Sequence, residues 1–171
     1  MPLTEITKNR FDEIIDLYFM WKKLNSGIKK IYSRGVNLPE ALTEPICCYV
    51  NGFLLSLGEG SEDAYDPKTN KQVQIKATSN YNSDLTSFGP RTHFDLLHFV
   101  RLEQPKDIMW LYDIPLENLY KIKMNANETF ADQQRQNRRP RFSIIKSYLE
   151  KENIRPYAMV DLKNKTIKHF K

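Results

Sequence analysis

The sequence has few residues suited to disulfides or to histidine and cysteine metal sites, and it has no long apolar run. Its two cysteines, Cys47 and Cys48, are adjacent, which offers neither an ordinary disulfide nor a zinc-type spacing. Its three histidines, His93, His98 and His169, share no metal-ligand spacing. No stretch approaches the roughly 20 apolar residues of a membrane span, and the N-terminal residues lack the apolar core of a signal peptide. We expect a soluble, cytoplasmic protein with buried reduced thiols and no membrane contact.

The excess of positive charge is small and lies mostly in one segment. The 171 residues carry a formal net charge of +5, and 40% of them are hydrophobic, enough for one core. We therefore expect a single domain over residues 1–171. Between Lys121 and Ser147 there are seven basic and two acidic residues. The net charge of this segment is therefore +5, equal to that of the whole chain. This segment is compatible with a polyanionic partner, although its charge does not require one.

Helical periodicity dominates the first third of the chain. One apolar face predicts a first helix that ends at Asn25-Ser26-Gly27, and its residues are Phe11, Ile14, Ile15, Tyr18, Trp21 and Leu24. Core packing is the stronger interpretation of this face, and a seam between two copies is the alternative. A second helix is predicted from Asn37, with Glu40 as its capping partner, to near Leu57, with a kink at Pro45.

Two-residue periodicity begins after Gly58-Glu59-Gly60 and predicts a hairpin. Its strands are 63–66 and 71–79, and Asp66 precedes Pro67 as a turn former. Further strands are predicted at 107–114, 118–124, 157–162 and 165–170, with a helix at 143–152. Helices followed by strands and one late helix predict an α/β or α+β fold, a central mixed β-sheet flanked by helices. Residues 125–141 lack apolar periodicity and are either a flexible loop or a surface that folds on a partner.

The hairpin carries the residues best suited to metal-dependent chemistry. Asp63 offers a carboxylate, Gln74 an amide oxygen and Ile75 a main-chain carbonyl, the oxygen ligands that Mg²⁺ prefers. Gln74 and Lys76 emerge on one face of the strand, so an ammonium group lies beside the expected ion. Taken alone, such residues are more often a solvated hairpin face than a site.

Two runs of residues resemble the catalytic core of the PD-(D/E)xK nuclease superfamily: GEGSEDAYD at 58–66 and QVQIKATS at 72–79. They are similar to the PvuII group of small type II restriction endonucleases. NLPE at 37–40 and SFGP at 87–90 are similar to small restriction enzymes that cut the interrupted site GCNGC. The resemblance is strongest from 37 to 95 and weaker toward the C-terminus.

This resemblance implies a restriction-endonuclease-like fold and a homodimeric type II restriction endonuclease. Such an enzyme hydrolyses double-stranded DNA with Mg²⁺, or Mn²⁺ in its place, at a short GC-containing site and leaves 5′-phosphate ends. GCNGC is the first expectation for that site. A cognate DNA methyltransferase would act on the same sequence without having to bind the enzyme.

The resemblance also implies roles for individual residues. Asp63 would be the metal aspartate and Lys76 the catalytic lysine, whereas Gln74 stands where the family more often has Glu or Asp. A neutral amide binds a cation more weakly, so another carboxylate is expected to compensate. Glu44, Glu59 and Glu62 are available, and Glu44 is favoured because superfamily members with Gln here often draw a Glu from the preceding helix. Glu44 has an alternative role as a first-turn acid favoured by the helix dipole.

Two segments are candidates for DNA contact. The first follows the catalytic strand and contributes Ser87, Arg91, Thr92 and His93. The second is rich in side chains that pair with base edges, and it contributes Gln134, Arg135, Asn137, Arg138, Arg139 and Arg141. The alternative for the second segment is a basic loop that binds phosphates without reading sequence.

Two other functions fit the same residues. One is a repair or structure-specific nuclease of the same fold. The other is a DNA-binding module with a decayed active site, which the amide of Gln74 in an acidic position suggests.

Overall fold

A mixed β-sheet forms the centre of the protein. The structure is a computed structural model that describes residues 2–60 and 62–170. Its strands are β1 (Leu3–Glu5), β2 (Leu54–Ser56), β3 (Ala64–Asp66), β4 (Lys71–Thr78), β5 (Thr86–Ser87), β6 (Leu96–Glu103), β7 (Ile108–Ile114), β8 (Arg141–Phe142), β9 (Ala158–Asp161) and β10 (Thr166–His169). Its helices are α1 (Lys8–Lys29), α2 (Glu40–Asn51), α3 (Leu116–Tyr120), α4 (Phe130–Arg135) and α5 (Ile145–Glu150), the last wound as a π-helix.

The sheet has the order β1-β2-β3-β4-β6-β7-β9-β10 within the described residues. Its neighbours are antiparallel except β4 and β6, which run parallel from the pair Val73 and Leu96 to the pair Thr78 and Arg101. Strands β5 and β8 form a separate antiparallel ribbon. The expected mixed sheet is therefore confirmed.

Helices cover both faces of this sheet. Helices α1 and α2 pack on one face around buried residues such as Phe11, Ile15 and Ile46. The other face is covered by α3, α4, α5 and the β5–β8 ribbon, around Phe88, Phe99, Phe130 and Phe142. Strand β6 is buried on both sides, because Leu97 and Phe99 join one cluster while Val100 and Leu102 join the other.

The two N-terminal helices end at different places from those predicted. Helix α1 continues through Asn25-Ser26-Gly27, because the buried Asn25 side chain accepts a hydrogen bond from the Val36 amide at 2.8 Å and holds the returning chain. Helix α2 begins at Glu40 with no side-chain cap, so the predicted capping by Asn37 and Glu40 is wrong. It ends at Gly52, whose φ of 72° suits glycine, and β2 follows where helix was predicted.

Two other predictions about secondary structure are wrong. The strand predicted at 118–124 is the short helix α3, followed by a turn and a bridge between Lys123 and Thr129. The segment 125–141 is folded in the free chain, because the buried rings of Phe130 and Phe142 anchor it and Thr129 and Asp132 form a capping box on α4. Strand β6 was not predicted, since a continuous apolar run has no diagnostic periodicity.

The other predicted elements are present, whereas β1, β5, β8 and α4 were not predicted. The β3–β4 hairpin, β7, α5, β9 and β10 all form, and Asp66 accepts the Lys68 amide at 3.0 Å as the expected turn former. Cys47 and Cys48 are buried and free, as expected. None of the described helices is long and apolar enough to cross a membrane.

Candidate active site

The predicted catalytic residues meet where β3 stops pairing with β4. Strand β3 pairs with Lys71, Gln72 and Val73, and β4 continues beyond it with that edge uncovered. Asp63, directly before β3, fills the gap. Its amide donates to the Val73 carbonyl at 3.0 Å, so its side chain is held beside the next residues of β4.

The Asp63 carboxylate replaces a missing strand partner. Its Oδ2 accepts hydrogen bonds from the Ile75 amide at 2.7 Å and from Gln74 Nε2 at 2.5 Å. Because the N–H and C=O of one strand residue project to the same side, the Ile75 carbonyl also faces this uncovered edge. An aspartate, a carbonyl and an amide thus converge at one place.

The amide of Gln74 has one oxygen that receives no hydrogen bond from the described residues. Gln74 is buried, and among residues 2–60 and 62–170 its Oε1 has no hydrogen-bond partner, while its Nε2 donates to Asp63. A buried acceptor in this state costs free energy unless something else satisfies it. A bound cation would satisfy it.

Glu44 supplies a second carboxylate from α2. Burial, followed by the charges of Asp63 and Glu40, raises the pKa of Glu44 to about 8. Burial also raises the pKa of Asp63 to about 6, against the lowering effects of the Ile75 hydrogen bond and of Lys76. Asp63 therefore ionises first, and its charge then opposes ionisation of Glu44. Two carboxylates that disfavour each other's charge are relieved by a cation between them.

Lys76 lies on the same face of β4 as Gln74. Its positive charge lowers the pKa of both Asp63 and Glu44. Its Nζ lies 5.4 Å from the centre of the buried Phe88 ring, a cation–π contact that orients the ammonium group. The predicted aspartate, Asp63, and the predicted lysine, Lys76, are thus close enough to interact electrostatically.

The oxygen donors present are of the types that a hard divalent cation prefers, and Asp63, Glu44, Gln74 Oε1 and the Ile75 carbonyl would hold such an ion. No three His, Cys, Asp or Glu side chains are grouped for metal binding in residues 2–60 and 62–170. A cation here would therefore depend on the amide and carbonyl oxygens as well as on two carboxylates.

The other glutamates near the site have different surroundings. Glu59 is exposed in the loop between β2 and β3. Glu62 is buried, and its carboxylate lies against Gly60, where it raises the pKa of Asp63. Glu40, predicted only as a cap, also raises the pKa of both Asp63 and Glu44, so it belongs to the electrostatic surroundings of the site.

The two segments predicted to contact DNA lie side by side. In the β5–β8 ribbon Ser87 pairs with Arg141, and the Phe88 amide donates to the Pro140 carbonyl at 3.0 Å. Gln134 Nε2 donates to the Gly89 carbonyl at 3.1 Å and adds a third link. Residues 45 or more positions apart in the sequence thus form one surface beside β4.

The candidate DNA-contacting side chains differ in their surroundings. Arg91 and His93 are exposed after the ribbon, and Thr92 follows the turn at Gly89. Arg135 is paired with Asp132, and Arg138 with Glu128 at 2.6 Å. Asn137 has a φ of 58°, in the left-handed region, and turns the chain from α4 toward β8.

Asp84 is a structural residue of this surface that the sequence analysis missed. Its carboxylate accepts hydrogen bonds from the Thr86 and Ser143 hydroxyls, each at 2.7 Å, and from the Ile144 and Ile145 amides at 2.8 and 3.0 Å. It therefore ties the start of α5 to β5. A lone aspartate in a polar loop gave no sequence signal of a partner 60 residues away.

A mixed sheet flanked by helices, with acidic residues and a lysine at the end of one hairpin, agrees with the restriction-endonuclease-like class of nucleases. A model of the Bsp6I restriction endonuclease family matches residues 6–151. The type II restriction enzyme Bsp6I of Bacillus sp. (strain RFL6) is 44% identical over 165 residues, which cover 95% of this chain and 94% of that protein. No solved structure gives a significant match.

The chain belongs to the Bsp6I restriction endonuclease family and is a type II restriction endonuclease. Its substrate is double-stranded DNA, and its class uses divalent metal ions. The resemblance to restriction enzymes is confirmed.

Proposed function

We propose that this enzyme cuts both strands of a short GC-containing DNA site, GCNGC in the first instance, with Mg²⁺ or Mn²⁺ at Asp63, Glu44, Gln74 and Ile75. The observation that carries the proposal is the buried Oε1 of Gln74, which has no hydrogen-bond partner in the described part of the chain, beside two carboxyl groups with raised pKa values. The enzyme would act in the cytoplasm, where a methyltransferase of the same specificity protects the host sequence.

The chemistry is hydrolysis of one phosphodiester bond per active site. When bound, the metal polarises the phosphate and makes a water molecule more acidic. The water oxygen bonds to phosphorus, and the bond to the 3′ oxygen breaks with its electron pair on that oxygen. The 3′ oxygen takes a proton, and the 5′ side keeps the phosphate. Lys76 orients the water and offsets the negative charge that develops on the phosphate.

Substitution of Lys76 and Asp63 tests this assignment. Lys76→Ala and Asp63→Asn should each lower the cleavage rate by orders of magnitude, and Asn keeps an acceptor for the Ile75 amide. The measurement is linearisation of a sequenced plasmid with Mg²⁺, with ends mapped and with EDTA as the metal-free arm. Lys68→Ala, in the exposed turn of the same hairpin, is the matched control.

Wild-type rates for Lys76→Ala or Asp63→Asn, or full cleavage in excess EDTA, would show that this site is not the catalytic one. Cleavage only at mismatches or junctions would favour the repair nuclease instead. Binding without cleavage under every metal condition would favour the decayed DNA-binding module.

We infer that two copies form a homodimer through the outer face of α1. The inner face, which includes Phe11, Ile14, Tyr18 and Trp21, is buried against the same chain and is not a seam. The outer face carries an apolar stripe at helical spacing, and its side chains remain exposed: Leu17 48%, Met20 68% and Leu24 55%. Such a contiguous exposed stripe is typical of a protein interface.

Several charged side chains on α1 are paired within the chain, Asp12 with Lys8, Asp16 with Lys165 and Lys22 with Asp107, so the apolar stripe alone carries the proposed contact. A two-fold axis near Met20 would place the stripes of the two copies against each other. Such symmetry suits a DNA site that reads the same on both strands.

A further inference from the structure

A small hollow adjoins the candidate active site. It has a volume of about 210 Å³ and is lined by Gln74, Lys76, Ser87, Phe88, Gly89, Thr92 and Arg139. Gln74 and Lys76 belong to the catalytic strand, whereas Arg139 comes from the segment just before β8. Arg139, from a distant part of the chain, therefore lines the same hollow as Lys76, the proposed catalytic lysine.

The main chain around Arg139 is held on both sides. Arg139 directly precedes Pro140, whose carbonyl accepts the Phe88 amide at 3.0 Å beside the ribbon pair Ser87 and Arg141. On the other side, Asn137 turns the chain out of α4, and Gln134 donates to the Gly89 carbonyl. The main chain at Arg139, and with it the direction in which the side chain leaves the backbone, is thus fixed before any DNA is bound.

Arg139 differs from its neighbours in its electrostatic partners. Arg135 is paired with Asp132 and Arg138 with Glu128, but Arg139 has no side-chain partner anywhere in the part of the chain that the structure describes. The guanidinium is exposed, and it can meet an anion without first breaking an ion pair. The hydroxyls of Ser87 and Thr92 line the same hollow.

We propose that Arg139 is a catalytic residue that contacts the non-bridging oxygens of the phosphate to be cut. The proposal rests on the proposed function, which places that phosphate beside Asp63 and Lys76. Arginine donates two parallel N–H groups to a phosphate and stabilises the charge that grows on it during attack. Base edges lie in the grooves, away from the reacting phosphate, so an arginine in this hollow faces the backbone rather than a base.

Single-turnover cleavage of pre-bound DNA tests the proposal. Arg139→Ala should lower the cleavage rate by about 100-fold or more, with sequence preference unchanged. DNA affinity measured with Ca²⁺ should change by less than about tenfold, the effect of losing one phosphate contact. Arg139→Lys should retain an intermediate rate, and added guanidinium ion should partly rescue Arg139→Ala. Arg155→Ala, an exposed arginine outside this hollow, is the control.

A DNA substrate with a neutral methylphosphonate at the cleaved position gives a second measurement. The reductions in cleavage rate caused by the neutral phosphate and by Arg139→Ala should be less than additive, because both changes remove the same contact between Arg139 and the phosphate. A rate for Arg139→Ala within about threefold of wild type, or relaxed sequence preference, overturns the proposal. If Lys76→Ala and Asp63→Asn are inactive while Arg139→Ala is active, only the role of Arg139 fails. If Lys76→Ala is active, the proposed active site itself is wrong, and the role of Arg139 falls with it.

Discussion

Gln74 is the residue at which this site departs from the usual acidic pattern. Its Nε2 donates to Asp63, and its Oε1 remains available for a cation. A glutamate here would place a third carboxylate beside Asp63 and Glu44, whose pKa values are already raised. The amide therefore limits repulsion in the metal-free protein and still provides an oxygen ligand.

Gln74→Glu should have opposite effects with and without metal. In EDTA the free energy of unfolding should fall by about 2 kcal/mol, because a buried carboxylate replaces a hydrogen-bond donor. With Mg²⁺ the half-saturating metal concentration for cleavage should fall, because the site gains a negative charge. Urea unfolding in EDTA and a metal titration of cleavage measure the two effects.

Gln72→Glu, on the same strand and exposed, is the control for Gln74→Glu. It should change neither the free energy of unfolding in EDTA nor the half-saturating metal concentration appreciably, because its carboxylate stays in water. Unchanged metal dependence in Gln74→Glu would place the ion away from this side chain.

At the scale of elements, Asp84 links β5 to the start of α5 by hydrogen bonds. This carboxylate accepts hydrogen bonds from the amides of Ile144 and Ile145 at the start of the helix and also from the hydroxyl of Thr86 in β5. Unsatisfied amides at a helix start are usually capped by such a side chain. Here the cap comes from a distant loop, so it joins two elements as well as stabilising one.

Asp84→Ala should lower the free energy of unfolding by about 2–3 kcal/mol, since buried donors lose a charged acceptor. Asp84→Asn should cost less, because it keeps one oxygen acceptor. Chemical denaturation compares both variants with Ser83→Ala, an exposed neighbour that should be nearly neutral. Equal stability of Asp84→Ala and wild type would contradict this account of the ribbon.

At the scale of the whole molecule, the proposed homodimer would hold two active sites, one for each DNA strand. Leu24→Glu places a charge in the exposed stripe of α1 and should convert a dimer into monomers without unfolding the chain. Sedimentation velocity should show the lower mass, and plasmid should be nicked rather than linearised.

Leu57→Glu is the matched control for Leu24→Glu, since Leu57 is similarly exposed at 62% but lies outside α1. It should leave the mass in solution unchanged. A wild-type protein that sediments as a monomer, or a Leu24→Glu variant that stays dimeric, would rule out this face as the seam.

Local patterns were enough to predict the β3–β4 hairpin, the last two strands and the buried face of α1, except that Leu24, predicted on that face, is 55% exposed. Alternating residues along β4 place Val73 and Ile75 in the core, so Gln74 and Lys76 are on the other face whatever packs around them. Asp63 follows from the same hairpin, because it precedes β3 directly. These features depend on residues that are neighbours in the sequence, so local patterns are sufficient to predict them.

The tertiary structure alone decided which distant groups join that hairpin. Glu44 approaches because α2 packs against β4, and Arg139 approaches because β8 pairs with β5. Strand β6 lies beside β4 through a parallel pairing that no short-range pattern predicts. Residues 125–141 were predicted to be a loop because the two buried rings that anchor the segment, Phe130 and Phe142, are too far apart in sequence to produce a helical or strand periodicity. Contacts between remote segments depend on how whole elements pack, so they become visible only in the folded chain.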